Sequence, residues 1–82
     1  MYRIFIVEDD PQIAEGIKKQ MESWNLEARC AEDFGKILEE FQDYDPHLVL
    51  LDISLPFYNG YYWCQEIRKI SKVPVIFISS AA

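Results

Sequence analysis

The sequence has little of what zinc-binding, disulfide-bonded or membrane proteins require. Its two cysteines, Cys30 and Cys64, form no C-x-x-C or Cys/His pattern, so we expect neither a metal-thiolate site nor a disulfide framework, only small buried side chains. The longest apolar run is about five residues, against roughly 20 for a membrane span, and no signal-peptide cleavage site follows Met1. These absences predict a cytoplasmic protein without a membrane partner.

Basic side chains are also scarce. Eight Lys and Arg residues stand against 14 Asp and Glu, giving a formal net charge of -6, and the basic residues are scattered. Direct nucleic-acid binding is therefore not expected. Half of the residues are hydrophobic and 15% are aromatic, which indicates a packed core. A chain of 82 residues makes one domain at most.

Short apolar segments alternate with helical patterns. Strands are predicted over 2–7, 26–30, 47–52 and 73–78. Asp10-Pro11 predicts a helix start, with Asp10 as the N-cap. The first helix runs to near Asn25, and the predicted buried face consists of Ile13, Ile17, Met21 and Trp24. The second is stopped by Asp45-Pro46, and its predicted apolar face consists of Phe34, Ile37, Leu38 and Phe41. The third follows Asn59-Gly60 and carries Trp63, Cys64, Ile67 and Ile70.

This alternation predicts consecutive βαβ units, hence an α/β fold with a parallel sheet, helices on both faces and right-handed crossovers. In such sheets ligands bind beyond the carboxyl ends of the strands. The acidic residues Glu8, Asp9 and Asp52 follow or end two of the apolar strands. If those strands are neighbours, the carboxylates converge. At about 4 Å and an effective dielectric near 20, each pair repels by roughly 4 kcal/mol.

A divalent cation would neutralise this cluster. Oxygen ligands without Cys or His select Mg²⁺, or Mn²⁺, over zinc. We predict Asp9 and Asp52 as ligands and Glu8 as a ligand through water, while Asp10 caps the helix. Such a metal shields a carboxylate from an incoming phosphate and allows it to act as a nucleophile. The predicted product is an acyl phosphate on Asp52.

Several motifs in order resemble the bacterial response-regulator receiver domain: Val7-Glu-Asp-Asp10, Leu51-Asp-Ile-Ser-Leu-Pro56, Gly60 and Pro74-Val-Ile-Phe-Ile-Ser-Ser80. The resemblance implies a flavodoxin-like sheet of order 2-1-3-4, with residues 1–82 as the first two thirds of the domain and the fifth strand absent. It also implies Mg²⁺ binding by Glu8 and Asp9, phosphorylation of Asp52, a metal contact from the Ser54 carbonyl, and a phosphoryl contact from Ser79.

The run Phe57-Tyr-Asn-Gly-Tyr-Tyr-Trp-Cys64 is similar to winged-helix transcription regulators of resistance to bacitracin and cationic antimicrobial peptides. That resemblance implies a sensor histidine kinase as partner, homodimerisation on activation, and DNA contact only through a C-terminal domain outside this chain. The family's lysine after the fifth strand is absent, and Lys72, which precedes the last predicted strand, cannot replace it. The residues shown are therefore not expected to undergo efficient phosphotransfer alone.

Three alternatives compete with a phosphorylated switch. The missing lysine would also fit a phosphorylation-independent interaction module that keeps the fold. A haloacid-dehalogenase phosphatase needs an aspartate where Ser54 stands, which argues against it. A flavodoxin-type cofactor domain needs phosphate-binding N–H groups where this chain has three carboxylates. We expect Tyr61, Tyr62 and Trp63 to serve packing, and we expect no catalytic role for His47.

Overall fold

The computed structural model describes residues 1–79, in which four strands alternate with three helices. The elements are β1 (Arg3–Val7), α1 (Pro11–Ser23), β2 (Glu27–Cys30), α2 (Ile37–Tyr44), β3 (Leu48–Asp52), α3 (Gly60–Arg68) and β4 (Val75–Ile78). All pairings are parallel and the sheet order is β2-β1-β3-β4. The predicted flavodoxin-like α/β fold and strand order are confirmed. Among residues 1–79, none of the helices has the length and apolarity needed to span a bilayer.

The two central strands carry the core on both of their faces. Alternate residues of a strand point to opposite sides of the sheet, and here both sets are apolar. One face packs under α2 and α3 and includes Phe5, Val7, Val49, Leu51, Ile37, Phe41, Trp63 and Ile67. The other packs under α1 and is smaller, with Ile4, Ile6, Ala14, Ala28 and Leu50. The near-continuous apolar runs that predicted these strands reflect this double burial.

The predicted buried face of α1 is wrong at both ends. Ile13 is 38% exposed and Trp24 is 62% exposed. The buried stripe instead runs through Ala14, with Ile17 and Met21 partly buried against the same cluster. Trp24 lies at the C-cap, where the helix has ended, so it cannot continue the stripe.

The helix predicted around Phe34 begins later than the apolar spacing indicated. Phe34 lies in the loop before α2, although its side chain still packs against the core. The loop has its own stabilising contact, because the Glu40 carboxylate accepts hydrogen bonds from the backbone N–H groups of Glu32 and Asp33. The Asp33 carboxylate also accepts from the Gly35 N–H at 2.9 Å, so a local side-chain acceptor holds this segment in a turn before the helix begins.

The third helix and the last strand are also shorter than predicted. α3 ends at Arg68, so Ile70 lies beyond it and is 49% exposed. β4 begins at Val75, and its middle residues Ile76 and Phe77 are exposed because α1 packs on β1 and β2 and α3 packs on β3. The two cysteines, predicted to be buried, are only half-buried.

Gly60 holds the loop after β3 against the strand end. Its N–H donates to the Ile53 carbonyl at 2.8 Å. A Cβ on Gly60 would lie 2.2 Å from the Asp52 carbonyl oxygen and 3.0 Å from Ile53 Cα. Only glycine allows the first turn of α3 to approach the backbone of Asp52 this closely.

Asp10→Ala tests the cap of α1. The Asp10 carboxylate accepts from the backbone N–H groups of Gln12 and Ile13, as predicted. We expect its loss to lower the free energy of unfolding by about 1 kcal/mol in urea denaturation. Gln12→Ala, an exposed change on the same turn, should stay within about 0.5 kcal/mol of the unaltered protein. Equal effects of the two changes would contradict a capping role.

Gly60→Ala tests the close approach. Because the new methyl group overlaps backbone atoms, we expect a loss of about 3 kcal/mol, the upper end of overpacking costs. Gly16→Ala is the matched control, since a Cβ there has nothing within 4 Å and alanine is favoured in a helix by about 0.5–1 kcal/mol. The two changes should shift the urea midpoint in opposite directions. A tolerated Gly60→Ala would show that the loop is not held in this way.

Candidate functional site

The parallel register of β1 and β3 brings the acidic residues together. Val7 is paired with Leu51, so Glu8, the residue after Val7, is level with Asp52 at the carboxyl edge of the sheet. The carboxylates of Glu8, Asp9 and Asp52 each offer an oxygen, and these three oxygens lie within 4.8 Å of one another. The predicted adjacency of the two strands is therefore confirmed.

The three carboxylates differ in their exposure. Asp52 is 2% exposed and Glu8 is 3% exposed, whereas Asp9 is exposed to solvent. Asp and Glu are almost never fully buried unless they are paired. Two buried carboxylates beside a third, exposed one form a site that is open on the side of Asp9.

Burial and neighbouring charge act together on Glu8. Desolvation raises the pKa of Glu8 above its ordinary value of 4.5, and the negative charges of Asp52 and Asp9 raise it further. The Asp10 N–H, which donates to Glu8 Oε2 at 3.0 Å, lowers the pKa in part. The net effect is an environment that disfavours the ionised form of Glu8.

The site has the donor set that a hard cation requires. Within residues 1–79, Glu8 Oε1 is buried and has no hydrogen-bond partner, although buried polar atoms are normally satisfied. A divalent cation beside this oxygen would satisfy it and would offset the repulsion among the three carboxylates. The ligands are all oxygens, as Mg²⁺ and Mn²⁺ prefer. These residues fit such an ion.

The remaining predicted residues lie at the same edge of the sheet. Ser79 directly follows β4, one residue beyond Ile78, which is paired with Asp52. Ser54 is exposed in the loop after β3. The metal contact of the Ser54 carbonyl and the phosphoryl contact of Ser79 stay predictions. Asp10 follows Asp9 in the chain, but its carboxylate caps the N-terminus of α1, as predicted.

Gly60 is a positioning residue that the sequence marked as part of a turn and of the receiver resemblance, without assigning it a role. Its contact with the Asp52 backbone depends on tertiary structure, since the two residues come together only after α3 packs on β3. The Asn-Gly pair was the available signal, and it indicated a turn. Asn59 is in fact the N-cap of α3, accepting from the Tyr62 N–H at 3.0 Å.

Glu8→Gln tests the electrostatics of the metal-free site. The folded protein raises the pKa of Glu8, so the protonated form is favoured on folding and its stabilising contribution is lost as pH rises above 4.5 through the folded pKa. In EDTA, the unfolding free energy of the unaltered protein should fall with rising pH relative to Glu8→Gln. Exposed Glu39→Gln serves as control. A constant difference between Glu8→Gln and the unaltered protein would contradict the raised pKa.

Comparison with known proteins shows which family the sequence matches. Residues 4–82 match the family described as response regulator receiver domain. The response regulator protein GraR of Staphylococcus aureus is 42% identical over 78 residues, which are 95% of this chain and 35% of GraR. The chain thus spans about a third of the length of the curated relatives it matches.

Solved structures agree in fold. The N-terminal domain of NsrR, a nisin resistance regulator, is 38% identical with a TM-score of 0.89, covering 99% of this chain and 68% of that one. The response regulator TrrA of Thermotoga maritima, in complex with Mg²⁺-BeF, is 32% identical with a TM-score of 0.90, covering 100% and 72%. TrrA has also been solved in complex with the histidine kinase ThkA. The chain belongs to the response regulator receiver domain family.

Proposed function

We propose that this chain is the phosphoacceptor receiver of a two-component system. It takes a phosphoryl group from the phosphohistidine of a sensor histidine kinase onto Asp52 and thereby switches a transcriptional output. The observation that carries this proposal is the buried Asp52 at the end of β3, with an oxygen within 4.8 Å of oxygens from Glu8 and Asp9. The structure of TrrA with a histidine kinase supports the choice of partner.

The proposed transfer conserves charge and atoms. An Asp52 carboxylate oxygen forms a bond to phosphorus while the phosphorus–nitrogen bond to the kinase histidine breaks, and the histidine keeps the electron pair. Asp52 becomes an acyl phosphate. The protein is thus a phosphorylated partner, not a turnover enzyme.

Glu8, Asp9, Asp52 and the Ser54 carbonyl are the proposed metal ligands, with Glu8 acting through water. When bound, Mg²⁺ or Mn²⁺ would stabilise the charge on the transferring phosphoryl oxygens. The TrrA complex with Mg²⁺-BeF supports this choice of ion for a relative. Ser79, beside Asp52 in the sheet register, is proposed to contact the phosphoryl group once it is bound.

Phosphorylation of Asp52 is proposed to act on the assembly and DNA binding of the complete regulator, of which this chain is one part. We place the protein in the cytoplasm, with homodimerisation on activation and DNA contact through a C-terminal domain outside these residues. The similarity to GraR and to the nisin resistance regulator NsrR supports a regulator of this kind.

Chemical labelling of the full-length protein tests the proposal. With acetyl phosphate and Mg²⁺, followed by hydroxylamine or borohydride trapping, we expect label on Asp52, and we expect EDTA or Asp52→Asn to abolish it. Asp9→Asn and Glu8→Gln should slow labelling by about tenfold to a hundredfold.

Asp10→Asn is the matched control for these changes. It removes a neighbouring carboxylate but keeps a good helix cap, so the labelling rate should stay within about twofold. Absence of label on Asp52 in the folded full-length protein would overturn the proposal and would favour the phosphorylation-independent interaction module.

A further inference from the structure

The two carboxylate oxygens of Glu8 have different surroundings. Oε2 accepts a hydrogen bond from the backbone N–H of Asp10 at 3.0 Å. Oε1 is buried and has no hydrogen-bond partner among residues 1–79. Because Glu8 is almost completely buried, this bond holds its carboxylate in one orientation and leaves a single oxygen for an ion.

The N–H that binds this glutamate belongs to the fixed start of α1. Asp10 has an extended backbone, with φ -81° and ψ 113°, and the proline after it, Pro11, disfavours the helical region for Asp10. The Asp10 carboxylate accepts from the N–H groups of Gln12 and Ile13. Its carbonyl accepts from the Ala14 N–H at 2.9 Å. These contacts fix the backbone of Asp10 and, with it, the direction of its N–H.

A carboxylate with one oxygen already bound does not coordinate an ion through both oxygens. Bidentate binding by Glu8 would require Oε2 to leave the Asp10 N–H, a partly buried donor. That donor would then have no partner, which is unfavourable away from water. Glu8 therefore offers an ion Oε1 alone, in agreement with its proposed contact through water.

An open cavity beside the carboxylates has room for water. Its volume is about 260 Å³. Its polar side is formed by Glu8, Asp9 and Glu15, and its apolar side includes Ala14, Ala31 and Phe34. Since one water molecule takes about 30 Å³ in the liquid, several can be accommodated. An ion beside Glu8 can therefore keep part of its hydration shell on this side.

Mg²⁺ and Ca²⁺ differ in how well such a ligand suits them. Mg²⁺ prefers octahedral geometry and usually keeps several waters, whereas Ca²⁺ takes about six to eight oxygens and commonly binds carboxylates through both oxygens. One oxygen from Glu8, with water around it, satisfies the smaller ion. The same arrangement withholds from the larger ion a contact on which its affinity depends.

We propose that the backbone N–H of Asp10 makes Glu8 a one-oxygen ligand and thereby selects Mg²⁺ over Ca²⁺ at the acidic cluster. The N–H acts through Glu8 and contacts no ion, so it is a positioning group. It is separate from the Asp10 carboxylate, and changes of that side chain to Ala or Asn leave it in place. This inference rests on the proposed function, because it takes the acidic cluster as the metal site.

Asp10→Pro in the full-length protein removes this N–H. Proline accepts the φ of -81°, and its ring takes the place of the amide hydrogen, so Glu8 Oε2 has to move. Asp10→Ala is the matched reference, since it loses the same cap but keeps the N–H. The affinities for MgCl₂ and CaCl₂ are measured by isothermal titration calorimetry.

The ratio of Mg²⁺ affinity to Ca²⁺ affinity should fall about tenfold in Asp10→Pro relative to Asp10→Ala. Mg²⁺ loses an oriented ligand, while Ca²⁺ gains access to the second oxygen of Glu8. Glu15→Gln removes an exposed charge beside the same cavity. Because the two ions carry equal charge, this control should change the ratio by less than about twofold.

A metal-free measurement tests the hydrogen bond itself, and it decides the matter if Asp10→Pro does not fold. In EDTA, the Asp10 amide of the unaltered protein should exchange with solvent at least about tenfold more slowly than in Glu8→Ala, as measured by NMR. The Ala14 amide, which donates to the Asp10 carbonyl, should be protected equally in both proteins.

Several outcomes would overturn the inference. They are equal exchange of the Asp10 amide in the two proteins, an unchanged affinity ratio in a folded Asp10→Pro, or equal affinities of the unaltered protein for Mg²⁺ and Ca²⁺. If the unaltered protein binds neither ion, the metal site of the proposed function fails, and this result is distinct from the others.

Discussion

The site depends on one constraint, the parallel pairing of β1 with β3. The two strands exchange hydrogen bonds in a register that sets Val7 beside Leu51, and both strands are buried on two faces. A shift of one residue would turn every core side chain to the opposite face. Both faces are apolar, but such a shift would move Phe5 from the layer that contains Trp63 to the smaller layer under α1. The different sizes of the two layers thus fix the register, and the register brings Glu8 and Asp52 together against their electrostatic repulsion. Packing of the apolar strands stabilises an acidic cluster that would not form by itself.

Much of this arrangement could be predicted from residue patterns. Residues 4–7 and 48–51 are apolar because both sides of each strand are covered, and a βαβ alternation leaves few topologies. The acidic residues at the strand ends then meet by geometry. Asp10 was also predictable, since an acceptor before a proline is a local signal that needs no tertiary contact.

The errors arise where tertiary contacts override local patterns. Phe34 has helical spacing to Ile37 and Phe41, but it lies in a loop whose backbone N–H groups donate to the Asp33 and Glu40 carboxylates, and α2 begins only at Ile37. Ile13 matches the periodicity of α1 yet stays exposed, because the buried stripe runs through Ala14, and Trp24 is exposed because α1 has ended there. The approach of Gly60 to Asp52 and the positive φ of Phe57, 69°, leave no signature in hydrophobic periodicity, since both are backbone features of the connection between β3 and α3.

The two core layers differ in the size of their buried side chains, and this difference bears on the acidic pocket. The layer under α1 contains small buried side chains such as Ala14 and Ala28, whereas the opposite layer contains Phe5, Phe41 and Trp63. Small side chains accompany the packing of α1 on both β1 and β2, so this layer has little room for a larger side chain at Ala14 or Ala28. The segment carrying Glu8 and Asp9 leads directly into that helix, while Asp52 belongs to the heavily packed side. The two sides of the acidic pocket thus adjoin different core layers, and an ion bound by Glu8, Asp9 and Asp52 would connect them.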